Sequence, residues 1–532
     1  MKTEPIVFSK ILGISNYGSK VEKMRYSGSV FLTKKLINPY PYREDMITSV
    51  SQKTNHESSE QLSSLHPYFP EAHAAFFAGN VDPYQVERAF GNRAVPKLAK
   101  LLEFSELPHE SRCTALRVMV ALTGEQNKKQ EAIREGAVAS CTDICARGVE
   151  DATSSPTDVR EQATLVLASL ASAPQSQPRF DKSSTIAALT GTLQAKESKV
   201  REAAALALLN YSTSRAGADM IVACSQMENV QTIKFMVQAL IEPSALVSLY
   251  LVSALGNICR YAEGTELALN AGIVAKLVEM LDAAPTSDME IPLGSPIPGT
   301  PAGTRLQTLN TMWNTGNHLR GKEDLIEQNA VSVITAALDD CSADVRRCAS
   351  GALMALSVDE GGKSAIMEQS LEQLPPLLLD EDNAVRKNAR IAIVHSSENR
   401  SARFMFVQQL IKTWTGTVEQ SSELVLRVFG KTAAESLCLL LQPSESNADE
   451  LERATVTLRD MLTQLGDVGN DAVMSTLYIT ERLADRLKDE RESTRVAAAE
   501  ILKKLCARHK YAVKRLKALN LSEAPSELAE YI

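Results

Sequence analysis

The sequence predicts an all-α chain: a right-handed solenoid of helical repeats preceded by an irregular N-terminal arm. Three observations carry this reading. One helical stripe motif recurs along the chain, Gly or Asn recurs at the turns between stripes, and the composition favours closely packed helices. The chain has 532 residues, several times the size of a single-core domain, so several domains or one long repeat array is expected.

The stripe begins with a β-branched or hydroxyl residue followed by Arg, then a small residue, then an apolar pair three residues on. Val200-Arg201 leads to Ala204, Ala207 and Leu208, and Val345-Arg346 leads to Ala349, Ala352 and Leu353. Val385-Arg386 and Val159-Arg160 repeat the pattern, with weaker copies at Ser111-Arg112, Thr304-Arg305 and Thr494-Arg495. Val247-Ser248 keeps the apolar register without the Arg. Offsets of i, i+4, i+7 and i+8 fall on one face of a helix. The anchors at 160, 201, 248, 305, 346 and 386 lie 41, 47, 57, 41 and 40 residues apart. That is the armadillo/HEAT period with loop insertions at two places.

Turn residues accompany the stripes. Gly136, Gly272 and Asn329 each precede a short apolar run, as expected of a left-handed residue that ends one helix before the next begins. Each unit therefore reads as helix, sharp turn, helix. A lone unit buries too little: a large apolar side chain contributes about 1.5–3 kcal/mol, against about 1–2 kcal/mol to order each backbone residue. Copies must stack to fold.

Composition agrees. Apolar residues make up 44%, charged residues 23% and aromatics only 5%. The formal net charge of −8 is mild for this length and argues against a dedicated nucleic-acid binder. Nine cysteines show no pairing spacing and read as small buried hydrophobes in a reducing compartment. Asn210-Tyr211-Ser212 matches a glycosylation sequon but lies inside an expected helix. No 18-residue apolar stretch and no leader-like apolar region is present, so neither a membrane span nor a signal peptide is expected.

Three domains follow: an extended arm over residues 1–75, the array over 76–400 with a loop insertion at 283–303, and less regular helical repeats over 401–532. The arm holds Pro39-Tyr40-Pro41-Tyr42 and eight Lys/Arg against three acidic residues in its first 44 positions. It is expected to order on a partner, the alternative being a tail without a role. Ser295-Pro296 and Thr300-Pro301 in the insertion read as turn residues or phosphorylation sites. The last helical stretch places Lys503, Lys510, Lys514 and Lys517 on one expected face, either a contact for an acidic partner or a solvated capping helix.

Signatures of chemistry fail. Gly361-Gly362-Lys363-Ser364 hints at a phosphate loop, but Ser357 stands where the motif needs Gly and the preceding segment is helical. Cys141 and Cys145 sit at i, i+4 without a nearby His. No catalytic residue, cofactor or metal is expected. One polar set recurs: Asn210, Asn257 and Asn314, each ten residues after its register start. An Asn on successive inner helices can donate to and accept from an extended peptide, and helix capping or local bonding is an equal alternative. The other copies carry Ala121, Ser169, Ala355 and His395 there.

Finally, Arg88-Ala89-Phe90-Gly91-Asn92-Arg93-Ala94-Val95-Pro96-Lys97-Leu98 resembles the opening of the radial spoke head 14 family. Ala349-Ser350-Gly351-Ala352-Leu353-Met354, trailed by Glu360-Gly361-Gly362-Lys363, is similar to that family's repeat, and Arg390-Ile391-Ala392-Ile393 to its closing helix. The resemblance spans residues 82–395. It implies a structural protein of the axonemal radial spoke in motile cilia or flagella, cytoplasmic before assembly. The implied partners are other spoke or axonemal proteins and the acidic microtubule surface. The competing reading is a cytosolic adaptor that binds extended peptides along the three asparagines.

Overall fold

The computed structural model describes residues 94–531, except 105–106, 151–155, 174–182, 228–229, 284–300, 414–424, 442–447, 477 and 520–524. The expected arm and most of the expected insertion lie outside these residues. Every regular element described is helical. The chain divides into two compact units, Met1–Asp324 and Leu325–Ile532.

The register helices are the longest elements. In the first unit they are α1 (His109–Leu122), α2 (Thr157–Ala171), α3 (Ser198–Ser212), α4 (Ala245–Ile258) and α5 (Pro301–Gly316). Each packs on the next in sequence. Shorter helices complete each repeat, as Ala262–Asn270 and Ile273–Ala283 do before α5. In the second unit α6 (Ala343–Leu356) packs on α7 (Asn383–Ser396). There α8 (Ala448–Met474), broken at Gly466 (φ 55°, ψ −126°), packs on α9 (Glu492–Arg508).

The register starts Val159, Val200, Val247, Val345 and Val385 are all buried, as are the central alanines Ala163, Ala204, Ala349 and Ala389. A methyl group at these crossings is what lets adjacent helices approach closely. The turn residues behave as expected: Gly136 (φ 85°), Gly272 (φ 78°) and Asn329 (φ 55°) are left-handed. Gln231 (φ 41°) and Tyr478 (φ 60°) hold the same conformation just before their helices, although neither is a turn former.

The arginine anchors have a common task. Arg201 donates through Nη1 to the carbonyls of Ala195 (2.8 Å) and Lys196 (2.7 Å), six and five residues back. Arg346 does so to Asp340 (2.8 Å) and Cys341 (3.1 Å), Arg386 to Asp380 (2.5 Å) and Glu381 (3.0 Å), and Arg495 to Asp489 and Glu490 (both 2.8 Å). The guanidinium of three anchors also meets an acid in the following loop: Arg160–Glu197 at 3.1 Å, Arg201–Glu242 at 2.9 Å and Arg346–Asp380 at 2.6 Å. Asp340, Asp380 and Asp489, each six residues before an anchor, accept the N–H two residues on and so shape the loop.

A second recurrent feature joins each register helix to the next repeat. Gly217, Gly264, Gly321 and Gly362 each sit six residues after a helix-end carbonyl, and a Cβ would lie 1.9, 2.6, 2.1 and 2.1 Å from the carbonyl oxygens of Tyr211, Ile258, Thr315 and Leu356. Gly361, one residue earlier, has no such backbone neighbour; its Cβ would meet the Asp359 carboxylate at 3.2 Å and the Ile326 side chain in ordinary contact at 3.6 Å.

Two predictions follow from these contacts. Gly362→Ala should cost about 1–3 kcal/mol through forced backbone displacement, whereas Gly361→Ala should be neutral or slightly stabilising; thermal unfolding of the two variants reads the difference. The second concerns Asp380. Burial pushes its carboxyl up, but the Arg346 hydrogen bond, the Asp382 N–H and the Arg346 and Arg386 charges outweigh burial and hold it below the ordinary carboxylate value. A depressed folded value means its stabilisation is complete above the unfolded pKa of about 3.9 and is lost as pH falls through the folded value. Urea titrations at pH 7 and pH 3 should therefore lose less stability between the two pH values in Asp380→Asn than in the parent.

Candidate functional site

The three asparagines lie on α3, α4 and α5 of one unit, at the positions the register assigns. Asn210 is 1% exposed, and its Nδ2 donates to the Ala168 carbonyl on α2 at 2.9 Å. Asn257 donates to Ser212 Oγ at the end of α3 (3.3 Å), and Asn314 to the Gly256 carbonyl on α4 (2.9 Å). Both are half-buried. Ser169, in the equivalent place on α2, donates to the Thr123 carbonyl (2.9 Å). In the second unit His395 Nδ1 meets Ser357 Oγ at 3.1 Å.

These bonds form a pattern. Where it is polar, the residue ten after a register start reaches back to the preceding register helix, landing twelve residues after that helix's own start from Ser169, Asn257 and His395 and nine from Asn210 and Asn314. The polar position is therefore occupied by bonding to the preceding register helix, to a backbone carbonyl from Ser169, Asn210 and Asn314 and to a Ser hydroxyl from Asn257 and His395. The Asn210 carboxamide oxygen is buried and makes no hydrogen bond. The burial of Asn210 also closes the sequon to modification in the folded chain.

The basic C-terminal stretch differs from expectation. α9 ends at Arg508, and His509 is extended (φ −112°, ψ 107°) before a separate helix, Lys510–Ala518. Lys503 therefore does not share a helical face with the others. The chain turns because the short helix buries Ala512 and Leu516 against Ile479–Arg486 and α9. Lys510, Lys514 and Lys517 do share one face at i, i+4 and i+7, all exposed. Neighbouring cations are engaged: Arg508 pairs with Asp471 (2.9 Å) and Arg515 with Glu481 (3.3 Å). Among the described residues, none of the three lysines meets a carboxylate.

The phosphate-loop hint dissolves. Asp359 caps the helix Glu360–Gln369 by accepting from Gly361 N (2.8 Å) and Gly362 N (3.4 Å), so a carboxylate holds the N–H groups an anion would need. Lys363 pairs with Glu360 and Glu398. Cys141 and Cys145 are fully buried; burial pushes the Cys145 thiol up to about 11 and Cys141 well above its usual value. Eight of the nine cysteines are buried and all are free thiols, Cys341 being exposed. Among the described residues no group of three or more His, Cys, Asp or Glu could hold a metal ion, and no helix is long and apolar enough to cross a membrane.

Sequence reasoning missed one further row. On α7, Lys387, Arg390 and Val394 are exposed at two, five and nine residues after the register start, and on α9 Val496, Glu500 and Lys503 are exposed at two, six and nine. The signal was available, since charged residues at those offsets mark the helix edge that no repeat covers.

Three-helix repeats stacked through their register helices define an armadillo-type helical-repeat protein. No protein-family model and no curated protein matches the chain. Its fold is similar to the crystal structure of an engineered protein from a structural genomics consortium, with TM-score 0.52 and 18% identity over 89% of this chain and 98% of that one. Two designed armadillo repeat proteins are more distant. One has TM-score 0.38 and 17% identity over 57% of this chain and 100% of its own. The other, solved in complex with the peptide (KR)4, has TM-score 0.37 and 19% identity over 57% and 99%.

The bonding ladder makes a directional prediction. Asn210→Ala should destabilise the protein by about 1–3 kcal/mol, because the Ala168 carbonyl loses its partner inside the core. Asn257→Ala, half-exposed and bonded at 3.3 Å, should cost less than 1 kcal/mol. Denaturant midpoints of the two variants test this ordering.

Proposed function

We propose that this chain is a protein-binding scaffold that engages an acidic partner through its C-terminal helix and serves as a structural component of the axonemal radial spoke. The observation that carries the binding surface is the lysine row. Exposed Lys510, Lys514 and Lys517 are held at helical spacing beside arginines that are already neutralised. Three like charges that meet no carboxylate among the described residues raise the local potential and attract an acidic segment, the more so at low salt. An acidic microtubule surface has the matching chemistry.

The spoke assignment rests on sequence resemblance, chiefly the segment from Arg88 to Leu98. The second resembling segment is weaker support, because its Gly362 serves the helix-end approach also seen at Gly217, Gly264 and Gly321. Any armadillo-type repeat with that approach needs the same glycine. The peptide-adaptor reading is less favoured, since Asn210 is buried and all three carboxamides already bond within the protein.

Fractionation of a tagged chain in a ciliated cell tests both parts. The parent should remain with salt-extracted axonemes, and a chain carrying Lys510→Glu, Lys514→Glu and Lys517→Glu should be lost from them at least several-fold. An entirely soluble parent would overturn the spoke assignment. Equal retention of the variant would overturn the lysine surface.

A further inference from the structure

Each register helix turns one face toward the register helix that follows it, and side-chain bonds identify that face. Thr311 on α5 donates to the Val252 carbonyl on α4 (2.9 Å), and Asn388 on α7 donates to the Arg347 carbonyl (3.2 Å) and to Ser350 Oγ (3.4 Å) on α6. The accepting residues stand two and five after their register starts, and Gly256, which accepts from Asn314, stands nine after. Where the next register helix is in place, the residue at five is sealed: Thr164, Ala205, Val252 and Ser350 are all 0% exposed. On α7 that position is Arg390, which is exposed, as are Lys387 at two and Val394 at nine. The next register helix, α8, packs instead on Ala433–Leu440 and on α9. Helix Arg400–Thr413 covers only the end of the α7 face, where Arg403 donates to the carbonyl of buried Ser397 (3.3 Å). The end of the chain is treated differently. On α9 the residue at five, Ala499, is buried, and the turn Ser526–Leu528 packs on that helix with Leu528 fully buried.

We infer that the open face of α7 is a docking site for an acidic helix of another protein, laid where a register helix would otherwise follow. The protein contains the template for this contact. α6 presents the same face to α7, and Asp382 caps α7 by accepting from Ala384 N (2.7 Å) and Val385 N (3.2 Å). The same carboxylate pairs with Arg347, the cation at two on α6, at 3.4 Å. Lys387 is the cation at two on α7, and Arg390 adds a second charge about one turn on. Among the described residues neither meets a carboxylate, while Asp380, Asp382 and Glu398 are engaged by Arg346, Arg347 and Lys363. Two exposed cations one turn apart select an acidic partner and steer its approach. From Lys387 to Val394 is two turns, roughly 10 Å. The incoming helix therefore carries its acids in the first turn, over Lys387 and Arg390, where its own dipole favours them. Two turns on it carries an apolar side chain against Val394, which is 38% exposed. The inference does not depend on the spoke assignment or on the lysine row.

Fluorescence anisotropy with the full-length chain tests it. Lys510→Glu, Lys514→Glu and Lys517→Glu are present throughout, so that the terminal lysines do not contribute. The probe is a labelled Ala-rich helical peptide with Glu in its first turn and Leu two turns on. It should bind, and Lys387→Glu with Arg390→Glu should weaken binding at least ten-fold while helical circular dichroism is retained. Val394→Asp, a change at an exposed position, should weaken it at least three-fold. Absence of binding, or affinity unchanged by these substitutions, would overturn the inference. So would equal affinity for an unstructured poly-glutamate of the same charge, which would reduce the contact to charge alone. With p-benzoyl-phenylalanine at position 390, irradiation should cross-link the chain to the probe. An intrachain cross-link to residues 414–424 would place the protein's own segment on this face and would also overturn it.

Discussion

The arginine in the first turn of a register helix is the constraint on which the repeats depend. In Arg201, Arg346, Arg386 and Arg495 its guanidinium holds two loop carbonyls five and six residues back, and in Arg160, Arg201 and Arg346 it grips an acid of the following loop. Without it the partly buried carbonyl six residues back would lose its partner, at up to about 1–3 kcal/mol, while the exposed one five residues back would turn to water. With it, entry of the chain into the register helix and the spacing to the next repeat are set by one side chain. Neighbouring residues make room: a Cβ on Gly148 would lie 2.1 Å from Arg160 Cδ. Where the Arg is missing, at Ser248, the loop still supplies Glu242 to the preceding anchor, so the acid survives the loss of the cation that would follow it.

Much of this was legible because arginine in an otherwise apolar stripe is conspicuous. The period, the small central residues and the left-handed Gly136, Gly272 and Asn329 follow from spacing and steric rules. Gln231 and Tyr478 escape such rules because their conformations are imposed by the packing of Ile233 and Ile479, not by their own preference. The break at His509 is hidden for a related reason. No Gly or Pro marks it, and the gain from burying Leu516 in a new direction appears only when the helices are assembled.

The candidate site was less legible. A row of asparagines ten residues into each register helix is ambiguous from sequence, because the same carboxamide serves a ligand or a neighbouring helix. The deciding facts are the depth of Asn210 and the direction in which each Nδ2 points. The open edge on α7 and α9 could have been read from Lys387, Arg390 and Lys503.

Asp380 serves two arginines at once, its carboxylate engaging Arg346 and its carbonyl engaging Arg386. One loop is thus a shared fastening for the repeat before it and the repeat after it. In a linear array, such a fastening sets how far a local opening propagates. Fraying at α7 would release the loop that also steadies α6, so these two repeats should open as a pair. A link with only one arginine, as at Glu242, leaves its neighbours free to open one at a time. The distribution of shared and single fastenings along a repeat array therefore writes its pattern of cooperativity into its loops.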